Sequence, residues 1–336
     1  MTIPRVSVLL PVRNAAETLP QCLASLAAQT LEDHEVLAVD DHSTDGSRAI
    51  IEGAARADPH VRRLDNPGRG LVAALNAAAA AARAPLLARM DADDVSHRDR
   101  LAAQAARLQD DPEVSILGTR VRLFGGARLN EGMRAYVDWL NTLLDHEAIA
   151  RDLYVESPLA HPSVMMRASL LERLGGYRDF DGPEDYDLWL RAHAAGARFA
   201  KLPEVLLDWR DAPGRLSRTD PRYGSVRFRD VKIRALECGP LSRRARAVVW
   251  GAGPVGKGWS KALTARGHEV AAFVEVHPGR LGQRIHGRPV VPVDEAAALG
   301  DALHLAAVGQ PGAREEIRRH AARLGLRDGH DLIAVA

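Results

Sequence analysis

Short apolar runs alternate with helix-like stretches along the first 123 residues of the chain. Runs of strand length that are rich in aliphatic and β-branched residues predict β-strands, and the alanine-rich or amphipathic stretches between them predict helices. The predicted strands are Val6–Val12, Glu35–Val39, Val61–Leu64, Leu86–Met90 and Val114–Val121, and the predicted helices are Leu19–Gln29, Ser47–Ala57, Leu71–Ala82 and Arg100–Gln109. This alternation predicts an α/β fold with a mostly parallel sheet that is covered by helices on both faces.

The pattern changes twice further along the chain. Residues 139–150 predict one helix, residues 157–167 predict a short strand, and residues 168–174 predict a further helix. A second, smaller α/β unit is predicted from strands at 246–250, 269–274, 303–308 and 332–335 and helices at 257–266 and 313–324. We therefore expect domains at residues 1–220 and 245–336, joined by a basic helical linker at 221–244.

Composition narrows the class of protein. A chain of 336 residues with 46% hydrophobic residues can form two or three domains with real cores. The formal net charge of +1 gives no general attraction to nucleic acid. Cys22 and Cys238 offer neither a disulfide framework nor a zinc-binding spacing. With no signal peptide and no apolar run long enough to cross a bilayer, a cytoplasmic protein is expected.

One stretch departs from this neutral balance. Residues 210–246 contain eleven Lys or Arg against four acids. We interpret it as a solvated linker; the alternatives are a surface for an anionic acceptor and a peripheral contact with membrane headgroups at the inner face of the membrane.

Polar clusters follow each of the first four predicted strands. They are residues 11–14, 40–46, 66–70 and 91–94, and paired acids stand in two of them. Loops are polar in general, which explains part of this pattern. In open α/β sheets, however, ligands bind beyond the carboxyl ends of the strands. A ligand site is therefore expected at this edge.

The run Asp91-Ala92-Asp93-Asp94 points to a metal site. Carboxylates crowded at the end of a buried strand repel one another, and a hard divalent cation such as Mg²⁺ prefers oxygen ligands together with substrate phosphates. Asp-rich turns also begin helices, which is the structural alternative. The context favours a metal-bound diphosphate.

Three further features have a structural and a functional interpretation. Glu184 and Asp185 stand in the first turn of a predicted helix, where the helix dipole favours acids whatever their function. His161 precedes a proline, and such a residue is more often a hydrogen-bonded structural histidine than a contact to the acceptor.

The third feature is the spacing Gly251-X-Gly253-X-X-Gly256 between a predicted strand and a predicted helix, with Glu275 at the end of the next strand. This context is typical of a Rossmann-like nucleotide-binding domain, with Glu275 facing a ribose hydroxyl. About ninety residues are too few for a complete dehydrogenase. The unit could bind NAD(P) or another nucleotide, bind a partner, or keep the fold without a ligand.

Taken together, residues 4 to about 220 resemble the family 2 glycosyltransferases of the GT-A fold. Five motifs carry the resemblance in the order of the family: VSVLLPVRN (6–14), VDDHSTDGS (39–47), GLVAALN (70–76), MDADD (90–94) and EDYDLW (184–189). The resemblance implies transfer of a sugar from a nucleotide diphosphate sugar to an acceptor hydroxyl, in polysaccharide, glycolipid or glycoconjugate synthesis.

The resemblance also implies roles for particular residues. Asp93, with Asp91, would bind Mn²⁺ or Mg²⁺; Asp185 would be the general base, supported by Glu184; and Trp209 with Arg210 would lie in a lid. The implied donor contacts are Pro11, Val12, Arg13, Asp40, Asp41, Arg69, Asp91 and Ala92.

The implied chemistry needs two separated acidic groups. A diphosphate leaving group requires charge neutralisation, and one carboxylate must take the proton of the acceptor hydroxyl, so that attack opposite the leaving group inverts the anomeric carbon. The alternatives are a sugar nucleotidyltransferase, although no glycine-rich loop follows the first strand, and a non-catalytic nucleotide sensor. The sugar, the base, the acceptor and the oligomeric state stay open; acceptor contacts are expected within residues 124–180 and 205–235.

Overall fold

The chain forms two compact units, each with its own sheet. The computed structural model describes residues 3–125, 131–212, 214–310 and 312–336; the expected acceptor regions include residues 126–130 and 213, which lie outside this range. The first unit contains the residues up to Ile149 and Pro158–Arg222, and the second contains Ala150–Ser157 and Tyr223–Ala336. The exact domain and linker boundaries stay a prediction.

The sheet of the first unit has eight strands among the described residues. Their order is β3-β2-β1-β4-β7-β6-β8-β5. Strands β1 to β4 are parallel neighbours, whereas β7 runs antiparallel to both β4 and β6. The strands are β1 (Val6–Val12), β2 (His34–Asp40), β3 (Val61–Asp65), β4 (Leu86–Arg89), β5 (Val95–Ser96), β6 (Val114–Phe124), β7 (Met165–Arg167) and β8 (Arg198–Arg210).

Helices flank this sheet. They are α1 (Leu19–Ala27), α2 (Ser47–Ala57), α3 (Leu71–Ala81), α4 (Arg100–Asp110), α5 (Glu131–Thr142), α6 (His146–Asp152), α7 (Ala168–Arg173), α8 (Glu184–Ala194) and α9 (Leu216–Thr219). All seven residues of β1 and all seven of β2 are buried, as expected for parallel strands covered on both faces. The predicted α/β fold with a mostly parallel sheet and flanking helices is confirmed.

Two predictions in the middle of the chain are wrong. The single helix predicted at 139–150 is two helices, α5 and α6. Asn141 ends α5 by bonding the backbone of Val121 on β6, and the Asp145 carboxylate accepts the N–H of Ala148 and so caps α6. The strand predicted within 157–167 begins only at Met165, because residues 161–163 form a 3₁₀ turn that contains Pro162.

The second unit contains a parallel sheet in the order β11-β12-β10-β9-β13-β14, in which only the pair β11 and β12 is antiparallel among the described strands. Its elements are α10 (Ser225–Glu237), β9 (Arg246–Trp250), α11 (Pro254–Ala265), β10 (Val270–Val274), β11 (Arg284–Ile285), β12 (Arg288–Val291), β13 (Ala302–Ala306), α12 (Ala313–Arg323) and β14 (Leu332–Ala334).

Strand β9 lies at a reversal of strand order in this second sheet. The chain passes from β9 to β10 and β12 on one side and then returns to β13 on the other side. Such a reversal opens a crevice at the carboxyl ends of the strands. The helix predicted from Lys257 begins earlier, at Pro254, a position at which proline fits the first turn.

None of the described helices has both the length and the apolar character that a membrane crossing requires.

Candidate active site

An acidic cluster lies between the end of β4 and the start of β5. Asp91, Asp93 and Asp94 each offer a carboxylate oxygen, and these oxygens lie within 4.8 Å of one another. The strand-to-strand connection is short, so the backbone turns sharply and brings the three side chains together. Three oxygen donors at this spacing suit a hard divalent cation.

The electrostatics of the cluster also fit a cation. Burial, followed by the charge of Asp91, raises the pKa of Asp93 to about 6. Burial, followed by the charges of Asp91 and Asp93, raises the pKa of Asp94. One oxygen of Asp94, Oδ2, is buried without a hydrogen-bond partner among the described residues. A bound cation would offset the burial of these carboxylates and the repulsion between them, and it would give Asp94 Oδ2 a partner.

Arg210, a predicted lid residue, contacts this cluster directly. Strand β5 pairs with the end of β8, which places Arg210 beside the acids. Its backbone N–H donates to Asp94 Oδ1 at 2.7 Å, and its Nε donates to the carbonyl oxygen of Asp93 at 2.6 Å. Trp209 is buried, and the guanidinium of Arg215 stacks on its ring at 4.3 Å. The segment that follows β8 is therefore anchored at the acids.

Sequence reasoning missed Arg89, which lies at the end of β4 and is 2% exposed. Its Nη2 donates to Asp91 Oδ1 at 2.6 Å. Burial acts to lower the pKa of Arg89, but the charge of Asp91, the hydrogen bond to Asp91 and the charge of Glu184 outweigh burial and raise it. The signal in the sequence was a single charge inside the apolar run 86–90.

A second acidic group begins helix α8. Glu184 is buried, and its Oε1 lies 3.7 Å from Nδ1 of His161, whose Nε2 is 3.0 Å from the Tyr177 hydroxyl. Burial, followed by the charge of Arg89, holds the pKa of His161 well below its usual range. Asp185 is only partly buried, and its Oδ1 accepts the N–H of Tyr186 at 2.7 Å. The enclosure of His161 favours a positioning role over acceptor contact.

The predicted donor-binding residues meet at the ends of β1 and β2. Asp41 Oδ1 accepts hydrogen bonds from Asn66 Nδ2 at 2.7 Å and from the N–H of Gly70 at 2.9 Å. Gly70 has φ +87°, a conformation that favours glycine. Arg13 reaches Asp41 Oδ2 at 3.4 Å. Asp41 thus fixes the loop after β3.

The other predicted donor contacts differ in exposure. Pro11, Val12, Asp40 and Ala92 are buried, and Arg69 is exposed in the loop after β3. Asp40 Oδ1 accepts the N–H of Ser43 at 3.2 Å. Asn66 is an additional residue of this group, which the sequence placed in the loop without a role.

The predicted site of the second unit is separate in sequence and in chemistry. Gly251, Gly253 and Gly256 connect β9 to α11. Glu275 accepts four hydrogen bonds, from the N–H groups of Ala252, Val276 and His277 and from Arg280. A carboxylate has about four acceptor positions, so this geometry favours fixing the loop over the predicted ribose contact.

An α/β sheet with an acidic cluster between two of its strands is the arrangement of the GT-A glycosyltransferases, and solved structures agree. S. aureus TarS 1–349 in complex with UDP-GlcNAc aligns with a TM-score of 0.57 at 19% identity, over 69% of this chain and 66% of that chain. The mannosyltransferase PcManGT from Pyrobaculum calidifontis, in complex with GDP-Man and Mn²⁺, aligns with a TM-score of 0.51 at 25% identity, over 69% and 62%.

The profile of Glycosyl transferase family 2 matches residues 7–175, half of the chain, and the chain belongs to this family. The match contains the acids at 40, 41 and 91–94 and ends before Glu184. EpsE of Bacillus subtilis is 31% identical over 218 residues, which are 62% of this chain and 73% of that protein. The amylovoran biosynthesis glycosyltransferase AmsE of Erwinia amylovora is 32% identical over 207 residues, 60% and 74%. The protein is a glycosyltransferase.

Proposed function

We propose that this glycosyltransferase moves a sugar from a nucleotide diphosphate sugar to an acceptor hydroxyl with inversion of the anomeric carbon. The observation that carries the proposal is the position of Arg89. Its guanidinium bonds Asp91 in the acidic cluster, and it interacts with the charge of Glu184 at the start of α8. Both acidic groups that the reaction would require therefore act on one buried arginine, which supports a common site.

Asp93 and Asp91 would hold Mn²⁺ or Mg²⁺. The raised pKa of Asp93 and the unpartnered oxygen of Asp94 are the features that a cation would relieve. When bound, such an ion supplies positive charge to the departing diphosphate. Asp94 Oδ1 accepts the backbone N–H of Arg210 and so holds the connection, which leaves Asp94 Oδ2 as a third oxygen for the ion.

Asp185 would accept the proton of the acceptor hydroxyl. It is the more exposed of the two acids at the start of α8, whereas Glu184 is buried against His161. The positive end of the helix dipole favours an acidic side chain at this position. Glu184, His161 and Tyr177 would fix the first turn of α8 and with it the position of Asp185.

The nucleotide would lie against Pro11, Val12 and Arg13, with Asp40 and Asp41 beneath the base and Arg69 near the diphosphate. Asp41 supports this assignment because it ties the ends of β1 and β2 to the loop after β3. AmsE acts in amylovoran biosynthesis according to its name, and we propose an acceptor of the same broad kind, a growing polysaccharide or glycoconjugate. A cytoplasmic location with peripheral membrane contact stays a prediction.

A panel of donors tests the proposal. The protein is incubated with UDP-, GDP- and dTDP-sugars, with Mn²⁺ or with EDTA, and donor binding and slow hydrolysis are measured. We expect at least one donor to bind and to be hydrolysed only with metal. If no donor binds with Mn²⁺, or if EDTA leaves hydrolysis unchanged, the proposal fails.

The role of Asp185 is tested by Asp185→Asn. Donor affinity should be unchanged, while kcat for transfer should fall by about 10²–10⁴, the usual contribution of a general base. The matched control is Asp181→Asn, an exposed acid before α8. Equal kcat in Asp185→Asn and in the wild type would remove Asp185 from the base role.

A further inference from the structure

A cavity of about 490 Å³ lies at the carboxyl edge of the sheet in the second unit. It is formed by the segments that follow β9, β10 and β13, together with the first turns of α12. This is the point at which the strand order reverses around β9. Ligands of open α/β sheets bind in this position, and neither the family match nor the structural alignments assign it a role.

Glycines in the loop after β9 and in the first turn of α11 allow the backbone to pack closely against its neighbours. Gly251 has φ +100°, and a Cβ there would overlap the side chain of Val308. A Cβ on Gly256 would overlap the carbonyl oxygen of Gly251. The loop therefore packs tightly against α11. Helix α11 has twelve residues and begins at the cavity, where its first N–H groups have no intrahelical partners.

Arg280 adds a positive charge at the same place. Its Nη1 lies 3.8 Å from the position that a Cβ on Gly253 would occupy, and it bonds Glu275 at 2.9 Å. Its side chain is 45% exposed, and its other N–H groups have no hydrogen-bond partner within the described part of the chain. A guanidinium beside a helix N-terminus binds phosphate oxygens well.

Apolar side chains also line part of the cavity. Val255 and Val276 are 42% and 61% exposed, although large aliphatic side chains are normally buried. Both line the cavity, and Val293 lies with them. An exposed apolar wall beside an anion-binding position is suited to a planar base attached to a phosphate. Gln310 and His320 also line the cavity and offer polar groups for sugar hydroxyls.

We propose that the second unit binds a nucleoside diphosphate, free or as part of a larger compound. The diphosphate contacts the first turn of α11 and Arg280, and the base packs against Val255 and Val276. Glu275 holds Arg280 and the loop in place. This site is independent of the donor site in the first unit, and the proposal does not rest on the reaction that the first unit performs.

Isothermal titration of the full chain in EDTA tests the proposal, with ADP, UDP, NAD⁺ and NADP⁺ as separate ligands. The four arms distinguish a simple nucleoside diphosphate from a dinucleotide. The critical variant is Val255→Asp, which places a negative charge in the first turn of α11, next to the diphosphate. Because acids are favourable in the first turn of a helix, the melting temperature without ligand should not fall.

We expect wild-type protein to bind at least one of the four ligands and Val255→Asp to bind that ligand at least about tenfold more weakly through charge repulsion. Val255→Asn, of similar size but uncharged, should lose less. Arg280→Gln should also weaken binding, whereas Arg319→Gln, on the exposed side of α12, should not.

Two results would overturn the proposal: none of the four ligands binds, or Val255→Asp and Arg280→Gln bind as tightly as the wild type. Sugar transfer should persist in Val255→Asp. Loss of nucleotide binding with transfer intact supports the second site, and failure of the donor panel alone concerns only the first unit.

Discussion

The two sheets place their candidate sites at the same structural position, the carboxyl edge of the strands, and line them with different chemical groups. In the first unit, the ends of the parallel strands lead to Asp91, Asp93 and Asp94. In the second, the corresponding edge has three glycines, a helix N-terminus and Arg280. The first edge brings three carboxylates together, whereas the second combines a helix N-terminus with an arginine that is paired with Glu275.

The carboxylates at the two edges have different partners, and their pKa values shift in opposite directions. Burial and neighbouring acids raise the pKa of Asp93 and of Asp94. Burial also acts to raise the pKa of Glu275, but hydrogen bonds from the backbone of Ala252, from Arg280 and from the next residues outweigh it and hold that pKa below its usual range. The sheet edge provides the geometry of a site, and the partners of its acids decide which ion is attracted.

The largest expected effect comes from Asp93→Asn. Mn²⁺-dependent donor binding should be lost and sugar transfer should fall by about 10²–10³, the range for removing one electrostatic stabiliser. Nucleotide binding by the second unit should be unchanged. Titration calorimetry and a transfer assay measure these quantities, with Asp99→Asn, an exposed acid before α4, as the control. Retained metal dependence would show that the acidic edge does not hold the ion.

A second effect concerns stability. Arg89→Met leaves Asp91 and the buried Glu184 without their shared positive partner. The free energy of unfolding of the first unit should fall by about 2–3 kcal/mol, less than for a fully buried pair because Asp91 is partly exposed. Arg107→Met, which removes a solvent-accessible pair with Asp111, should change it much less. Chemical denaturation followed by hydrogen exchange in each unit measures both. Equal effects would contradict a special role for Arg89.

The smallest effect is a pair of opposite pH dependences in metal-free buffer. Burial raises the pKa of Asp93 to about 6, from an ordinary value of about 3.9. Between about pH 6 and 4 the folded state therefore binds a proton that the unfolded chain does not, so Asp93 contributes more stability as pH falls.

Burial lowers the pKa of His304 to about 4, from about 6.5, and its Nδ1 accepts a hydrogen bond from Trp250. Here the unfolded chain binds the extra proton between about pH 6.5 and 4, so the contribution of His304 falls as pH falls. The measurement is the stability difference between wild type and each of Asp93→Asn and His304→Asn across this range. The two differences should change in opposite directions; a common direction would remove the electrostatic contrast between the units.

Much of the first unit could be predicted from the sequence because its central strands are buried on both faces. β1 and α2 have the predicted bounds, and β2, β3, β4, α1, α3 and α4 differ by one or two residues at their ends. β8 was not predicted, because Lys201, Pro203 and Glu204 interrupt its apolar pattern. Lys201 is nevertheless buried, with its ammonium donating to the carbonyl oxygens of Leu140 and Pro158.

The candidate site was predictable only where residues are adjacent in sequence. The acids at 91–94 and at 184–185 stand in short motifs, and the local pattern is enough to find them. The contacts of Arg210 with Asp93 and Asp94 and of Asp41 with Asn66 depend on how strands and loops meet in space. No periodicity in the sequence reports such contacts, so the structure was needed to find them.

Arg210 bonds the main-chain oxygen of Asp93 and leaves the carboxylate of that residue to other ligands. This hydrogen bond therefore does not depend on whether residue 93 carries an acid, an amide or a methyl group. A variant with a different side chain at position 93 should therefore keep the backbone conformation of the connection between β4 and β5.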